Sequence, residues 1–205
     1  MKMLNNIISN TFLIHMICYW GMVYKYDSQT GKEFKTAVIY SLKNQICGTL
    51  PMTYLFFQYY PINYTNFLSS ILLLPVVVLI SDIYFFCTHY PFHKIRFLWE
   101  YHKIHHHGKV HVAKSLDADI LEHVIANLGS FGAPFIIMCY LGFIFNIYVL
   151  YLWVGLSTIS TCVSHLGFIS FGDKGIHHSH HKYLKCNYGT GFYVMDRLLG
   201  TYVDS

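Results

Sequence analysis

The sequence predicts an all-α protein, an integral membrane helical bundle of four to five membrane helices that carries a histidine-rich cap. Two observations predict the membrane. Of the 205 residues, 54% are hydrophobic and 12% are charged, which is unusual for a soluble domain. The charges also lie in blocks that separate three uncharged tracts, Met3–Tyr24, Asn44–Ser81 and His123–Gly172. The third observation is that many of the 14 histidines lie at the borders of these tracts, which predicts the cap.

The first tract, Met3–Tyr24, is long enough to span a bilayer, because a transmembrane helix needs roughly 20 apolar residues. No clear cleavage site follows its apolar part, so we expect a retained anchor and not a signal peptide. His15 is isolated within this tract, and we interpret it as a tolerated polar residue. The block Lys25–Lys43 has more lysines than acids, which favours a cytosolic loop.

The second tract can cross the membrane and return, with the polar turn Tyr60–Asn66 at the far side. Its return segment, Phe67–Thr88, ends where the first histidines begin, and the basic residues after them place these histidines in the cytosol. The third tract is long enough for a hairpin that breaks around Leu141 and Gly142. That hairpin returns His165 to the side of the other histidines.

Three histidine clusters have spacings of three or four residues, which place side chains on one face of a helix. They are His89/His93, His102/His105/His106 and His177/His180/His181. Imidazole is a ligand for zinc, copper, iron and nickel. Eight clustered rings exceed the four of a closed structural zinc site, so the pattern predicts a dimetal centre. Pro91, between the first two histidines, requires a helix start or a kink there.

Asp82 interrupts the return segment seven residues before His89, on the same helical face. An acid within a membrane helix is a functional candidate, because burying it unpaired is costly. One hypothesis is that Asp82 accepts the N–H of a ligating imidazole and fixes its tautomer. The other is that it packs between helices near the interface, and the sequence leaves both open.

Other polar residues lie beside the clusters. Glu122 and Asp196 are candidates to support a ligand, although surface pairing with Arg197 is the simpler interpretation of Asp196. His123 is either a ligand or a residue at the membrane edge. We expect three further histidines to be solvent-exposed or hydrogen-bonding neighbours: His107, His111 and His178.

The order HxxxH, HxxHH, HxxHH resembles the fatty acid hydroxylase/sterol desaturase superfamily of membrane di-iron oxygenases. The stretch His177–Tyr202, with NYG and DRLLGT, resembles its C4-methylsterol oxidases, C5-sterol desaturases and sterol 25-hydroxylases in particular. Asp82 stands where these proteins often carry an acid, and His165 where many have a further histidine. The chain departs from the pattern at Tyr90, where many relatives have arginine, and at Asp119, where they have histidine.

The resemblance implies a multi-pass endoplasmic reticulum membrane protein whose cytosolic di-iron centre uses O2 to oxidise a lipid C–H bond. Electrons would come from NAD(P)H through cytochrome b5 or its reductase. The C-terminal stretch favours a sterol over a fatty-acyl substrate. Two Fe ions are implied, although zinc can replace them in purified samples because affinity order does not favour Fe(II). The implied ligands, assisted by the acids Asp82 and Glu122, are His89, His93, His102, His105, His106, His165, His177, His180 and His181.

We divide the chain into N-terminal membrane helices, residues 1–66, and a catalytic region, residues 67–205. Two alternatives to a sterol oxygenase stay open: a fatty-acyl or sphingolipid hydroxylase, and a non-catalytic metal-binding relative. A metal transporter is disfavoured because transporters place ligands near the bilayer midplane, whereas these clusters lie at charged borders. No basic run with interleaved aromatics indicates nucleic-acid binding.

Overall fold

The structure is a computed structural model that describes residues 2–166, 169–170 and 173–204. Parts of three predicted ranges therefore lie outside the described residues: the third uncharged tract, residues 123–172, the N-terminal region, residues 1–66, and the catalytic region, residues 67–205. The residues outside are Met1, Gly167, Phe168, Phe171, Gly172 and Ser205. The all-α prediction is confirmed, since the described chain is helical apart from one short antiparallel ladder, β1 (Ile169–Ser170) with β2 (Asp173–Lys174).

The described ranges contain eleven α-helices. They are α1 (Lys2–Tyr26), α2 (Lys32–Asn44), α3 (Leu50–Tyr59), α4 (Phe67–Leu72), α5 (Leu74–Lys94), α6 (Arg96–His106), α7 (Ile120–Glu122), α8 (Gly129–Tyr140), α9 (Ile147–Ser164), α10 (Ile176–Tyr183) and α11 (Val194–Leu199). A π-helical turn, Gln45–Thr49, joins α2 to α3, and a second one, His123–Leu128, joins α7 to α8. A 3-10 turn, Val112–Leu116, precedes α7.

Four helical stretches are long and apolar enough to cross a membrane. They are Lys2–Tyr26, Leu74–Lys94, Ile120–Tyr140 and Ile147–Ser164. This number agrees with the lower end of the predicted four to five membrane helices. The expected outward leg of the second tract is helical, but it is not among the four in the described chain. Polar residues at its start, Asn44, Gln45 and Thr49, are buried inside the protein and lower its hydropathy.

Helix packing places the histidines at one end of the bundle. α1 packs along α9, and α5 packs along α8. At the opposite end the two predicted turns meet, since Asn63 donates to the carbonyl of Ile144 and Asn146 donates to the carbonyl of Thr65. The hairpin break is where we expected it, because α8 ends at Tyr140 and Gly142 turns the chain with a φ of 89°.

The return segment differs from its predicted bounds. It is split into α4 and α5, and Pro75 lies in the first turn of α5, where its missing N–H costs no helical hydrogen bond. Pro91 lies inside α5, which ends at Lys94. A helix start at Pro91, one of the two arrangements that we considered, is therefore excluded.

Candidate metal centre

Four elements deliver the nine predicted ligands. The end of α5 carries two of them, α6 carries three, the residue after α9 is His165, and three of the four histidines of α10 complete the set. Because each cluster keeps the three- or four-residue spacing on a helix, its rings point the same way. The four elements converge, so rings far apart in the chain lie in contact. His89 and His180, for example, have ring centroids 4.8 Å apart.

The nine rings form two groups in which the ligand atoms lie within 4.8 Å of one another. We call them the five-histidine group, which is His89, His93, His102, His106 and His180, and the four-histidine group, which is His105, His165, His177 and His181. The groups adjoin, since the rings of His106 and His181 have centroids 4.4 Å apart. All nine rings are at least partly buried, and the four-histidine group is buried throughout.

In the five-histidine group, fixed acceptors set which ring nitrogen carries the proton. Nδ1 of His89 lies 2.7 Å from the carbonyl oxygen of Tyr188, and a carbonyl can only accept, so this nitrogen donates. Nδ1 of His102 lies 2.8 Å from the carboxylate of Glu122. Nε2 of His89 therefore carries no proton and presents a lone pair to Nε2 of His102, which lies 3.1 Å away. A cation beside these two nitrogens would satisfy that lone pair.

His180 also requires a cation beside its inward nitrogen, and its surroundings show this more directly. Its Nδ1 donates to the carbonyl of Cys186 at 2.7 Å, while its buried Nε2 has no hydrogen-bond partner among the described residues. Burial lowers the pKa of His180 well below its ordinary value, so the ring is neutral and Nε2 presents a lone pair. A buried polar atom without a partner is costly, and a metal ion would satisfy it.

The four-histidine group repeats this arrangement. Nδ1 of His105 donates to the carbonyl of Asp117 at 3.0 Å, and Nδ1 of His165 donates to the carbonyl of Thr161 at 2.9 Å. Their Nε2 atoms then face each other at 3.4 Å without a proton between them. Two nitrogens bound to one ion at ~2.1 Å lie about 3.0 to 3.4 Å apart. The Nε2 pairs of the two groups lie close to this spacing, at 2.8 to 3.2 Å in the five-histidine group and at 3.2 to 3.4 Å in the four-histidine group. The residues present therefore fit two metal ions.

Burial keeps the rings outside the membrane-spanning helices neutral. It lowers the pKa of His165 to about 4 and holds the pKa values of His105, His177 and His181 well below the ordinary value. A neutral imidazole is the form that binds metal, so the site is ready to bind at neutral pH.

Glu122 and Asp82 have different surroundings. Glu122 is buried, and its contact with His102 is the one expected of an acid that orients a ligand. The oxygens of Asp82 instead accept from the backbone N–H groups of Thr190 at 2.9 Å and Val194 at 2.8 Å. The hypothesis that Asp82 accepts directly from an imidazole is therefore corrected, because its oxygens hold the C-terminal segment.

Asp196 is also corrected. We favoured surface pairing with Arg197, but its carboxylate is fully buried and accepts from the backbone N–H groups of Tyr188 and Gly189 at 2.8 and 2.7 Å. Asp82 and Asp196 therefore hold the backbone of the segment whose Tyr188 carbonyl accepts from His89.

Other histidines lie outside the two groups. His123 is fully buried, and its Nε2 lies 3.0 Å from the hydroxyl of Thr49, an arrangement that neither alternative for His123 anticipated. His15 lies 3.0 Å from the hydroxyl of Thr158. His111 lies 2.8 Å from a carboxylate oxygen of Asp27, which makes it a hydrogen-bonding neighbour as expected. His107 and His178 are exposed.

Buried polar side chains that no sequence motif indicated hold the segment before α7, residues 111–118. Asn44 donates to the carbonyls of Leu116 and Ala118 at 2.9 and 2.8 Å, on either side of Asp117. Tyr19 donates to the carbonyl of Ala113 at 2.8 Å. Since the carbonyl of Asp117 accepts from His105, helices α1 and α2 support the four-histidine group. In the sequence, polar residues within or beside apolar tracts, such as Asn44, were the signal that could have indicated this support.

Comparison with known proteins agrees with this geometry. The sequence model of a family described as fatty acid hydroxylase matches residues 74–201. Two Dictyostelium discoideum proteins, both provisionally named methylsterol monooxygenases, are 26% and 27% identical to the chain over 226 aligned positions. Each alignment covers 93% of this chain and 82% of the relative. No solved structure matches the chain.

Proposed function

The chain belongs to the fatty acid hydroxylase family, and we propose that it is a membrane di-iron oxygenase that hydroxylates or desaturates a C–H bond of a sterol. The observation that carries the proposal is the pair of adjoining histidine groups, in each of which the ligand atoms lie within 4.8 Å of one another. Their nine histidines would hold two ions. A histidine-only donor set is neutral, so the site would retain the full positive charge of the metals.

Bound iron would supply the redox chemistry by which O2 oxidises an unactivated C–H bond. The chain's own residues do the rest. The carbonyls of Tyr188, Cys186, Asp117 and Thr161 keep the protons on the outer ring nitrogens and orient the rings. Glu122 does the same for His102, and burial of the rings excludes water from the reaction.

The sterol substrate, the electron supply and the cellular location are inferred from the relatives, from the family resemblance and from the distribution of lysines. The two relatives are named for methylsterols, which favours a sterol. Lysine-rich blocks flank the histidine end of the bundle, which supports a cytosolic metal site in the endoplasmic reticulum membrane. Electrons would come from NAD(P)H through cytochrome b5 or its reductase, as the family resemblance implies.

Two alternatives remain within the family. A fatty-acyl or sphingolipid hydroxylase would use the same centre, and the product of the reaction would identify it. A non-catalytic relative would keep the metals for stability. Asp119, one departure from the family pattern, accepts from the backbone N–H of Leu121 at 2.9 Å and caps α7, so this departure removes none of the nine clustered rings. That observation favours the enzyme.

The proposal is tested by untargeted lipid and sterol profiling of cells that express the wild-type chain or the His105→Ala/His106→Ala double variant. The matched control is His107→Ala, which removes an exposed neighbouring ring outside both groups. We expect a lipid that gains one oxygen or loses two hydrogens with the wild type and the control, and not with the double variant. No such product, with all three proteins in the membrane and an electron donor supplied, would contradict an oxygenase.

A further inference from the structure

Residues 188–199 form a loop that starts and ends at the same place, and we call them the C-terminal loop. The neck of the loop is built on Asn187, which directly precedes it. The backbone N–H of Asn187 donates to the carbonyl of Thr201 at 3.0 Å, and its side-chain amide donates to the carbonyl of Val203 at 2.9 Å. The twelve residues of the loop are therefore an excursion from one fixed point.

The C-terminal loop runs along α5 away from the clustered histidines. Successive loop residues contact α5 at positions that are ever nearer to its start: Tyr188 at His89, Thr190 at Asp82 and Gly191 at Val78. The N–H of Thr190 donates to Asp82 at 2.9 Å, and a Cβ on Gly191 would lie 3.5 Å from Cγ1 of Val78. The loop thus follows a helix that is one of the four able to cross a membrane.

This course takes the loop to the depth of the membrane span. From Leu74 to Thr88 the sequence of α5 has no charged residue except Asp82. Asp82 and Val78 precede His89 by 7 and 11 residues, which corresponds to roughly 10 to 17 Å along a helix. Because a hydrocarbon core is ~30 Å thick and the clustered histidines lie at its border, the loop lies beside α5 at the depth of the acyl chains.

The large exposed side chains of the loop are mainly apolar. Phe192 is 50% exposed, Leu198 is 73% exposed and Leu199 is 58% exposed. The exposed charged residue of the loop is Arg197, whose guanidinium lies 3.7 Å from the ring centroid of Tyr202, next to the neck. Arginine side chains at a membrane border reach the headgroups while their stems lie on apolar surface. This surface has the composition of one that faces lipid.

Two buried carboxylates satisfy backbone N–H groups of the loop. Asp82 accepts from Thr190 and Val194, and Asp196, which belongs to the loop, accepts from two further N–H groups at its start. In water such groups can bind solvent, whereas inside a bilayer non-helical backbone is tolerated only where the protein supplies its partners. An acid in a membrane helix is itself costly and indicates a specific need. The two acids meet the requirement of a loop that lies within a membrane.

We propose that the C-terminal loop inserts into the bilayer beside α5, with Phe192, Leu198 and Leu199 among the acyl chains. The loop is then a membrane-binding surface in addition to the four helical stretches, and its partner is the leaflet at the histidine end of the bundle. The competing occupants of this surface are a second copy of the chain and a soluble protein, and either would keep lipid away from the same side chains. Insertion requires neither metal nor turnover, so it stands or falls separately from the proposed function.

The test measures quenching of tryptophan fluorescence in proteoliposomes of phosphatidylcholine that is brominated on its acyl chains. Bromine quenches indole rings that contact these chains. The probes are Phe192→Trp and Leu198→Trp, and the wild-type chain, measured in parallel, gives the signal of the native tryptophans to be subtracted. Leu152→Trp is the control for lipid contact, because Leu152 is 42% exposed on the membrane-crossing α9. His107→Trp is the control for water contact, because His107 is exposed just after α6.

We expect both loop probes to lose as large a share of their added fluorescence in brominated vesicles as Leu152→Trp loses. His107→Trp should keep its fluorescence. Both probes replace exposed side chains, so they are expected to leave the fold intact. The proposal is overturned if either loop probe keeps its fluorescence as His107→Trp does, which is also the result that a second copy or a soluble protein over the loop would give.

Discussion

In the five-histidine group, outer ring nitrogens face the carbonyls of Tyr188 and Cys186 and the carboxylate of Glu122. In the four-histidine group they face the carbonyls of Asp117 and Thr161. Residues 186–188 near the C-terminus and Glu122 of α7 therefore support the first group. Residues 111–118, which α1 and α2 hold, and Thr161 of α9 support the second. The difference indicates that each group can be weakened without the other.

The groups also differ in exposure. His93 and His106 of the five-histidine group are partly exposed, while the whole four-histidine group is buried. We infer that a chelator reaches the five-histidine group first.

The largest effect is expected from a variant that removes a ligand from one histidine group. His180→Ala removes a ring whose Nε2 has no other partner in the described chain. Loss of a hydrogen-bond partner of a metal ligand costs up to ~100-fold in activity. Because His180 is proposed as a ligand itself, we expect lipid oxidation to fall by more than that. The control is His178→Ala, which changes an exposed ring on the same helix and should leave oxidation unchanged. Equal activity of both variants would contradict a ligand role for His180.

A smaller effect is expected when the orientation of one ring is disturbed. Glu122→Gln replaces the carboxyl group beside Nδ1 of His102 with an amide, a weaker acceptor, so we expect about 10- to 100-fold weaker metal binding at the five-histidine group. Chelator competition measures this affinity. Weakening of both groups to the same extent would argue against separate support.

Two further variants, each of which weakens a contact that supports one histidine group, sharpen the comparison. Asn44→Ala removes two donors around Asp117, and Asp196→Asn weakens the acceptor that holds Tyr188. We expect roughly tenfold weaker metal binding, at the four-histidine group for the first variant and at the five-histidine group for the second. The check is chelator competition in the background of His106→Ala or His105→Ala, which leaves one intact group to observe. Reversed or identical selectivity would contradict the account.

The smallest effect concerns pH. Burial lowers the pKa of His165 from the ordinary 6.5 to about 4, so the unfolded chain binds a proton in this range and the folded chain does not. The free energy of unfolding of the metal-free protein should therefore fall as the pH drops from about 6.5 to about 4, and His165→Gln should reduce that slope. Denaturant unfolding at several pH values measures it, and an unchanged slope in the variant would contradict the assignment.

The fold class and the convergence of the histidine clusters could be predicted from the sequence because both depend on local patterns, whereas the division of the nine rings into groups of five and four was not predicted. Ligand spacing follows helical periodicity, and the membrane spans follow runs of apolar residues. The role of His165 as a ligand, like that of the other eight, stays a prediction, although the structure brings all nine rings together.

The remaining parts of the site depend on distant contacts. Asp82 could not be assigned because its partner Thr190 is 108 residues away, and a backbone N–H leaves no trace in a sequence. The two π-helical turns, Gln45–Thr49 and His123–Leu128, lie in contact although they are far apart in the chain, and no local pattern predicts that contact. Asn44 could be recognised as unusual in an apolar tract, but its carbonyl partners could not.

The most direct test of the account is the number of metal ions per chain, measured by elemental analysis after removal of loosely bound metal. The variants are His105→Ala and His106→Ala, because these consecutive residues of α6 belong to different groups. We predict two ions for the wild type and one for each variant, with the remaining ion more accessible to chelator in His105→Ala. A single ion in the wild type, or loss of both ions from either variant, would contradict two separately supported metal sites.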